Sequence, residues 1–525
     1  MVLAGLSACS SRAPAPAIPA PSLPPQAQAP LSPSPPAHFS RPEAEALFTF
    51  GYNSVLERYI DPVSLSDIGL AGLKALEPLD PALKIRRAGS SLEVVRSNAV
   101  IGSFRLPAAD DAPGWGRVTA GVLGLLVDGT PVLHQKPSEA LYKTVFEGAL
   151  APLDPFSRYA TSEEANTHRG MRNGFGGVGL LFESIDNAVT ITRVLPGTPA
   201  EAAGLRPGHR ILAIDGHLAH GQGSEQVREW LRGPTNSDVT LTVEDAESAR
   251  RWLVVLTRTL ILLPTVEADL DNTLGIIRIT SFNQRTTTAV AEVLAGMQRQ
   301  TRGTLQGVIL DLRGNPGGLL DQAVSLSDLF LERGPIVSTR GRHPDARQFY
   351  SATPGDLSSG VPLAVLIDGE SASAAEIVAA ALQDSGRAVV IGTTSYGKGT
   401  VQTVIQLPNG GELTLTWSRF HTPSGYVLHG LGVMPAACTS GQDNAETVLL
   451  DMHEHEAERA SQSGLWRSVD PRQSAQRATL RASCPPQPHP EAAIDDQVAH
   501  RLLEDRALYR QALRLTQPLQ AARGL

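Results

Sequence analysis

From residue 259 to about 435, short apolar strands alternate with amphipathic helices. The runs LGIIRIT, GVILDLR, PLAVLID and RAVVIGT read as strands, and helical spacing of apolar residues follows the first three of them. This alternation is typical of a layered α/β core. The chain has 525 residues, which exceeds the roughly 250 to 300 residues at which a single core stops growing, so we expect several domains.

Changes in composition predict five regions along the chain. Residues 1–41 include a Pro/Ala/Ser run that favours extended polyproline II and would act as a spacer. The remaining regions are a mainly helical segment at 42–172, a glycine-rich β domain at 173–258, the α/β core at 259–440, and a charged helical extension at 441–525. The fold class is therefore multidomain α/β with helical regions on both sides of the β-rich and α/β parts.

Three local patterns give sharper predictions. Asn409-Gly410 lies between two alternating runs, which is a strong signal for a β-hairpin turn. Thr161 or Ser162 is placed to cap a short helix. The run PAEAAGL, residues 199–205, predicts a helix of about two turns.

The charge and the apolar runs limit the partners of the protein. A net charge of −8 offers no basic face for nucleic acid. No run reaches the ~18 apolar residues that a membrane-spanning helix needs, so the chain is soluble or tethered.

Leu6 to Cys9 resembles a bacterial lipobox, which makes Cys9 a candidate lipid anchor; a plain secretory leader or a chance match are the alternatives. In an exported protein, Cys438 and Cys484 could form a disulfide, but two unpaired thiols fit equally well.

A serine stands where one of the predicted core helices begins. Ser373 follows the apolar strand PLAVLID and opens the helix AAEIVAAALQ. A helix N-terminus presents unpaired N–H groups and a positive dipole end, so the Ala374 amide can face an oxyanion formed at Ser373. The GNPGG turn supplies a second candidate donor, at Gly317 or Gly318.

A lysine between two glycines is the candidate base. Lys398 has no carboxylate beside it in the sequence, and burial could lower its pKa enough for general-base catalysis. Gln402 is placed to orient its amine. The residues alone leave alternatives open: Ser373 and Glu376 also fit a capping box, Lys398 could be an exposed turn residue, and Ser371 could be the nucleophile.

These motifs together resemble the carboxyl-terminal processing peptidases, the Ser/Lys proteases that carry a PDZ domain. The resemblance covers about 42–435 and rests on motifs in the family's order: LDPFSRYATSEE, GFGGVGLLFE, VLPGTPAEAAGLRPGHRILAIDG, GVILDLRGNPGGLLDQAVSLSDLFL, SASAAEIVAAALQD, GTTSYGKGTVQTV and FHTPSG. It implies a PDZ domain at 173–258 and a crotonase-like Ser/Lys protease core at 259–440. The spacing from Ser373 to Lys398 equals that of nucleophile and lysine in the family, and Gln402 falls at its third, orienting position. The tail after residue 440 departs from the family's pattern.

The resemblance implies an exported serine endopeptidase that cleaves proteins near their C-termini. Gly177, Val178, Gly179 and Leu180 would capture the terminal carboxylate of a polypeptide with an unstructured C-terminus, and the following strand would pair with it. Gly317, Gly318 and Ala374 would form the oxyanion hole. We expect a periplasmic or cell-envelope location, and an adaptor protein is a candidate partner.

Other functional classes remain as alternatives. One is a catalytically inactive PDZ scaffold; another is a crotonase-type acyl-CoA enzyme, because that fold also uses paired amides as an oxyanion hole. A His-based protease is less favoured, since His421 and His429 have no matching acid in the sequence. His453 and His455 lie in a charged helical segment typical of a solvated face, so we expect no metal and no organic cofactor.

Overall fold

The computed structural model describes residues 39–185, 187–489 and 493–516. Cys9 and nearly all of the spacer therefore lie outside the described residues. Within these ranges no helix combines the length and the apolar character needed to cross a membrane.

The first part of the described chain is a helical layer with a small sheet beside it. Its elements are α1 (Arg41–Arg58), α2 (Leu65–Lys74), β1 (Leu83–Ala88), β2 (Ser91–Arg96), β3 (Ala99–Arg105), α3 (Ala112–Gly129), α4 (Pro131–His134), α5 (Ser138–Leu150), β4 (Arg158–Ala160) and α6 (Ser162–Asn173). Buried aromatic side chains, among them Phe48, Trp115 and Phe146, hold the helices together. Thr161 caps helix α6, as predicted: its hydroxyl accepts from the Glu164 N–H while the Glu164 carboxylate accepts from the Thr161 N–H.

A β-rich unit follows. Its elements are β5 (Phe175–Gly177), β6 (Leu180–Ile185), β7 (Ala188–Val194), α7 (Pro199–Ala202), β8 (His209–Ile214), β9 (His217–Leu218), α8 (Ser224–Leu231), β10 (Asp238–Asp245), β11 (Arg251–Thr257) and β12 (Thr259–Ile261). One sheet has the order β11-β10-β8-β7-β6, with the short β9 paired to β8, so β6 lies at an edge. The prediction of two helical turns in this unit is wrong, because α7 has four residues and the chain turns at Gly204 with φ +73°.

Strands and helices then alternate as predicted. The elements are β13 (Val266–Asp271), β14 (Leu274–Ile279), α9 (Thr286–Gln300), β15 (Gly307–Asp311), α10 (Leu320–Asp328), β16 (Pro335–Gly341), β17 (Gln348–Ser351), β18 (Leu363–Ile367), α11 (Ala374–Asp384), β19 (Ala388–Gly392), β20 (Thr400–Gln406), β21 (Glu412–His421) and β22 (Ala437–Cys438). One sheet has the order β13-β14-β15-β18-β19-β22 and is parallel from β14 onward. A second sheet contains β17, β16, β21, β20 and, at one side, β4. The hairpin prediction is confirmed, since Gln406 pairs with Glu412 around Gly410.

The C-terminal helices cover one face of the parallel sheet. They are α12 (Ala445–Glu454), α13 (Glu456–Ser468), α14 (Ser474–Arg481), α15 (Ala493–Glu504) and α16 (Arg506–Thr516). Ile309, Leu366 and Ile391 point from the sheet into a cluster with α12, α15 and α16, whereas Val308 and Leu310 point to the α9–α11 side. Both faces are thus buried, as parallel sheets require. Cys438 and Cys484 are joined in a disulfide.

Candidate active site

Three loops meet at the carboxyl edge of the parallel sheet. They are the glycine loop (residues 312–319), the serine loop (368–373) and the lysine loop (393–399), which leave the neighbouring strands β15, β18 and β19. Because parallel strands end at the same edge, their following loops converge there. The approach is close: a Cβ on Gly317 would lie 2.8 Å from Ser373 Cβ and 2.9 Å from Ala374 N. The glycine at 317 lets the first loop reach the start of α11.

Ser373 has a backbone conformation that L-residues avoid. Its φ is +56° and its ψ is −111°. Such conformations cost about 1–3 kcal/mol and persist where surrounding contacts enforce them, often at functional sites. Here the Ser373 N–H donates to Glu376 Oε2 at 2.8 Å, and the Ser373 carbonyl accepts from Ile377 N. The side chain is therefore presented from a strained, hydrogen-bonded turn.

The Glu376 carboxylate connects the serine to the lysine loop. It is fully buried, and its Oε2 accepts from the N–H groups of Ser373 and Lys398, at 2.8 and 2.9 Å. Its Oε1 accepts from Gly397 N at 2.7 Å and from Ser395 Oγ at 2.5 Å. Burial raises the pKa of this carboxyl, while the four hydrogen bonds favour the charged form. In the sequence, Glu376 is recognisable only as a capping residue, and its contacts with residues 395–398 are seen only in the structure.

Lys398 is half-buried and its ammonium faces an aromatic ring. Lys398 Nζ lies 5.2 Å from the centroid of the Phe156 ring. Desolvation lowers the pKa of Lys398, the positive charge of Arg158 lowers it further, and Glu376 acts in the opposite direction. Within the described ranges, Lys398 Nζ makes no hydrogen bond to Ser373 or to Gln402. The backbones of Ser373 and Lys398 thus bind the same carboxylate, but their side chains make no hydrogen bond to each other.

Gln402 lies on β20 and is bonded elsewhere. Its Nε2 donates to Thr400 Oγ1 at 2.9 Å and to Thr416 Oγ1 at 3.3 Å. Thr416 Oγ1 in turn donates to Asp154 at 3.0 Å. These contacts fix the amide, with its oxygen as the remaining acceptor.

The three predicted oxyanion donors differ in their availability. The Gly317 N–H donates to Asn315 Oδ1 at 2.8 Å, whereas the N–H groups of Gly318 and Ala374 donate to no residue that the structure describes. Asn315 is fully buried and also accepts, through its carbonyl, from Ala372 N at 2.9 Å. It therefore ties the glycine loop to the serine loop, a role that the sequence analysis did not anticipate.

Ser371 belongs to the turn that precedes the helix. It is fully buried; its Oγ donates to the Leu312 carbonyl at 2.8 Å and accepts from Asp368 N at 2.9 Å. Both hydroxyl functions are used inside the protein.

A groove in the β-rich unit runs beside the edge strand β6. It has a volume of about 190 Å³ between β6 and α8, and it is lined by Gly177, Val178, Gly179 and Leu180 together with apolar side chains, Arg228 and Arg232. The N–H groups of Val178 and Gly179 donate to no described residue. An open edge strand with unpaired donors at its start can accept an extended peptide by strand addition.

No group of three or more His, Cys, Asp or Glu side chains suited to a metal ion occurs in the described parts of the chain. His453 Nδ1 contacts Gln511 Oε1 at 3.0 Å, and His455 pairs with Asp451. The His429 ring lies edge-on to Phe156 with centroids 6.1 Å apart, and burial lowers its pKa.

Two family models match the chain. The model described as a PDZ domain matches residues 190–245, and the model of peptidase family S41 matches residues 273–437. The carboxy-terminal-processing protease of Bartonella bacilliformis is 39% identical over 299 residues, which cover 57% of this chain and 69% of the relative. The carboxyl-terminal-processing protease of Synechocystis sp. is 36% identical over 301 residues, covering 56% and 69%. The solved photosystem II D1 C-terminal processing protease is 25% identical, with a TM-score of 0.39, covering 75% of this chain and 92% of that one.

A PDZ domain followed by such a peptidase domain defines a serine-type peptidase with a peptide-binding module. The chain belongs to peptidase family S41, among the carboxy-terminal-processing proteases.

Proposed function

We propose that the protein is an endopeptidase that cleaves near protein C-termini, with Ser373 as nucleophile and Lys398 as general base. The observation that carries this proposal is the shared Glu376 oxygen, which accepts from the backbone N–H groups of both residues. Burial adds support, because it lowers the pKa of Lys398 and so favours the neutral amine that a base requires.

In the proposed mechanism, Lys398 Nζ leaves the Phe156 ring and accepts the proton of Ser373 Oγ. A lysine side chain is flexible enough for this rotation about its own bonds. The Gln402 amide oxygen, whose nitrogen is held by two threonines, would orient the amine. The serine oxygen then attacks the scissile carbonyl, and Lys398 returns the proton to the leaving amine. Water, deprotonated by the same lysine, hydrolyses the acyl-enzyme.

The oxyanion would be bound by the N–H groups of Gly318 and Ala374. Both lack a partner among the described residues, and Ala374 is the first residue of α11, where the helix dipole favours negative charge. One such donor contributes about 2.7–4 kcal/mol to transition-state binding. Gly317 would act indirectly, since its N–H is taken by Asn315.

Substrates are proposed to be polypeptides with unstructured C-termini. The terminal carboxylate would be bound by the loop Gly177–Leu180, and the preceding residues would extend along β6. Export to the periplasm or cell envelope and an adaptor protein are further proposals, and so is lipidation at Cys9, which rests on the lipobox-like run Leu6 to Cys9. Fractionation of cells that express the protein with Cys9→Ser would test the tether, because a lipid anchor predicts release from the membrane fraction.

The decisive experiment is to incubate an unstructured protein with the wild type, Ser373→Ala and Lys398→Ala. Mass spectrometry of the products should show C-terminal fragments with the wild type alone. Ser371→Ala is the matched serine control. The part of this variant that folds should cleave the substrate as the wild type does. Cleavage by Ser373→Ala would overturn the assignment, and an inert wild type would favour the inactive scaffold. Membership of a peptidase family speaks against the acyl-CoA enzyme, and an acyl-CoA binding assay would check this directly.

A further inference from the structure

The C-terminal extension contacts the lysine loop through one arginine. Arg481, the last residue of α14, donates from Nη1 to the carbonyl oxygens of Ser395 and Leu431, at 3.1 and 2.6 Å. Its guanidinium also approaches Gly397 and Gly432, whose added Cβ atoms would lie 3.2 and 2.9 Å from Nη1. The guanidinium therefore packs against the backbone of residues 395–397, immediately before Lys398.

Ser395 transmits this contact to the centre of the site. Its hydroxyl donates to Glu376 Oε1 at 2.5 Å and accepts from Val433 N at 2.8 Å. Glu376 in turn binds the N–H groups of Ser373 and Lys398. Ser395 thus joins two sets of hydrogen bonds: its carbonyl binds Arg481, and its hydroxyl binds the Glu376 carboxylate that holds both backbones of the proposed catalytic pair.

The segment after α14 follows the other loops of the site. The Cys484 carbonyl accepts from Thr394 Oγ1 at 2.6 Å, and the Gln487 carbonyl accepts from Gly369 N at 2.8 Å and Thr393 Oγ1 at 3.0 Å. The His489 N–H donates to Asp368 Oδ2 at 2.9 Å. We call residues 474–489 the strap. The disulfide from Cys484 to Cys438 fastens the strap to the end of the parallel sheet.

The lysine loop needs support from outside. Gly397 and Gly399 flank Lys398, and glycine restricts the backbone less than any other residue. Burial of the Arg481 guanidinium is unfavourable in itself and is offset by its carbonyl partners and by the nearby charge of Glu376. A partly buried cation that donates to the Ser395 carbonyl on this loop and to the Leu431 carbonyl on the segment before β22 ties the two together by charge-assisted hydrogen bonds.

We propose that Arg481 is a positioning residue for peptide cleavage, and that the strap makes the C-terminal extension part of the active site. This inference rests on the proposed function of Ser373 and Lys398. Arg481 touches neither substrate nor reacting atoms. It holds the Ser395 carbonyl, and through Glu376 it keeps the lysine loop in register with the serine.

Arg481→Met keeps an unbranched apolar stem but removes the charge and both hydrogen bonds. A displacement of about 1 Å at a catalytic group can cost 10²-fold in rate, so we expect kcat to fall about tenfold to a hundredfold while KM stays within about twofold. A looser loop hydrates Lys398, which raises its pKa and shifts the rising limb of the kcat–pH profile to higher pH. The charged groups that act on Lys398 are Arg158 from β4 and Glu376 from α11. Arg481 faces Glu376, and it also interacts with Arg477, which precedes it by four residues on α14.

Arg472→Met is the matched control. Arg472 lies in the same extension, its side chain is 89% exposed, and it pairs only with Asp470 among the described residues. Its kcat and pH profile should equal those of the wild type. Arg481→Lys keeps the charge and can reach one carbonyl, so it should recover part of the lost kcat. The double variant Cys438→Ser/Cys484→Ser should lower kcat in the same direction as Arg481→Met.

Thermal unfolding and binding of a C-terminal peptide are measured for every variant. A folded Arg481→Met protein with kcat within twofold of the wild type and an unshifted pH profile would overturn the inference. If Arg481→Met does not fold, Arg481→Lys and the cysteine double variant decide by the same criteria. Failure of the proposed function looks different, because Ser373→Ala or Lys398→Ala would then retain cleavage whatever happens at position 481.

Discussion

The immediate surroundings of Lys398 decide its protonation. The ammonium is half-buried over the Phe156 ring, and the strongest effect on its pKa is desolvation, which disfavours the charged form. Arg158 adds a like charge that acts in the same direction, while Glu376 opposes both. A general base must be neutral, so cleavage should increase as the pH rises through the lowered pKa of Lys398.

Removing the charge at Arg158 should move this titration. In Arg158→Met the pKa of Lys398 rises toward its ordinary value, so the rising limb of the kcat/KM–pH profile shifts to higher pH. The shift should shrink at high salt, because Arg158 is exposed and its field is screened. Arg251→Met, an exposed arginine on β11, is the control and should leave the profile unchanged. A shift to lower pH in Arg158→Met would contradict the assignment of Lys398 as the base.

At the scale of elements, substrate capture depends on the loop that precedes β6. Gly179 has φ +83°, and a Cβ there would lie 2.3 Å from Thr198 Cβ. The Gly179 carbonyl also accepts from Leu195 N, which fixes the loop against the turn between β7 and α7. The close approach and the positive φ together leave room for glycine alone.

Gly179→Ala should therefore distort the carboxylate-binding loop. We expect affinity for a C-terminal peptide to fall tenfold or more and KM for a protein substrate to rise, while kcat at saturation is kept. Gly197→Ala is a close control, because Gly197 has φ +70° but no atom within 4 Å of its added Cβ. It should cost about 1–2 kcal/mol of stability and little affinity. Isothermal titration calorimetry with a C-terminal peptide measures the affinity of each variant. Equal losses of affinity in Gly179→Ala and Gly197→Ala would argue against a role for this loop.

At the scale of the whole molecule, the extension after residue 440 completes the core. Helices α12, α15 and α16 cover the sheet face that carries Ile309, Leu366 and Ile391. Asp495 on α15 pairs with Arg313, the second residue of the glycine loop, and accepts from Thr439 Oγ1. The extension therefore contributes to folding as well as to the arrangement of the site.

Leu502→Ala tests the contribution of the extension to folding. Leu502 is fully buried between α15 and the sheet, so its truncation should lower the free energy of unfolding by about 2–5 kcal/mol. Leu465→Ala is the control, because Leu465 is 48% exposed and should change the stability by less than about 0.5 kcal/mol. Chemical denaturation monitored by circular dichroism gives both values. An unchanged stability for Leu502→Ala would mean that the extension folds independently of the sheet.

Much of the fold was predictable from local patterns. The strand–helix alternation, the Asn409-Gly410 hairpin and the Thr161 cap depend on residues close in sequence, and the structure has all three. The length of α7 was not predictable in this way, because Gly204 ends the helix that the preceding residues favour. The domain boundaries at 41, 172, 258 and 440 stay a prediction.

The sequence by itself determined the candidate chemistry: a serine at a helix start, a lysine between glycines and a family pattern that relates them. Each of these signals depends on residues close in sequence or on the order of short motifs, so it can be recognised without the tertiary structure. Only the tertiary structure decided which groups support them. Glu376, Asn315, Phe156 and Arg481 act on residues of other loops, and such contacts depend on how the strands are ordered in the sheet and on where the extension packs.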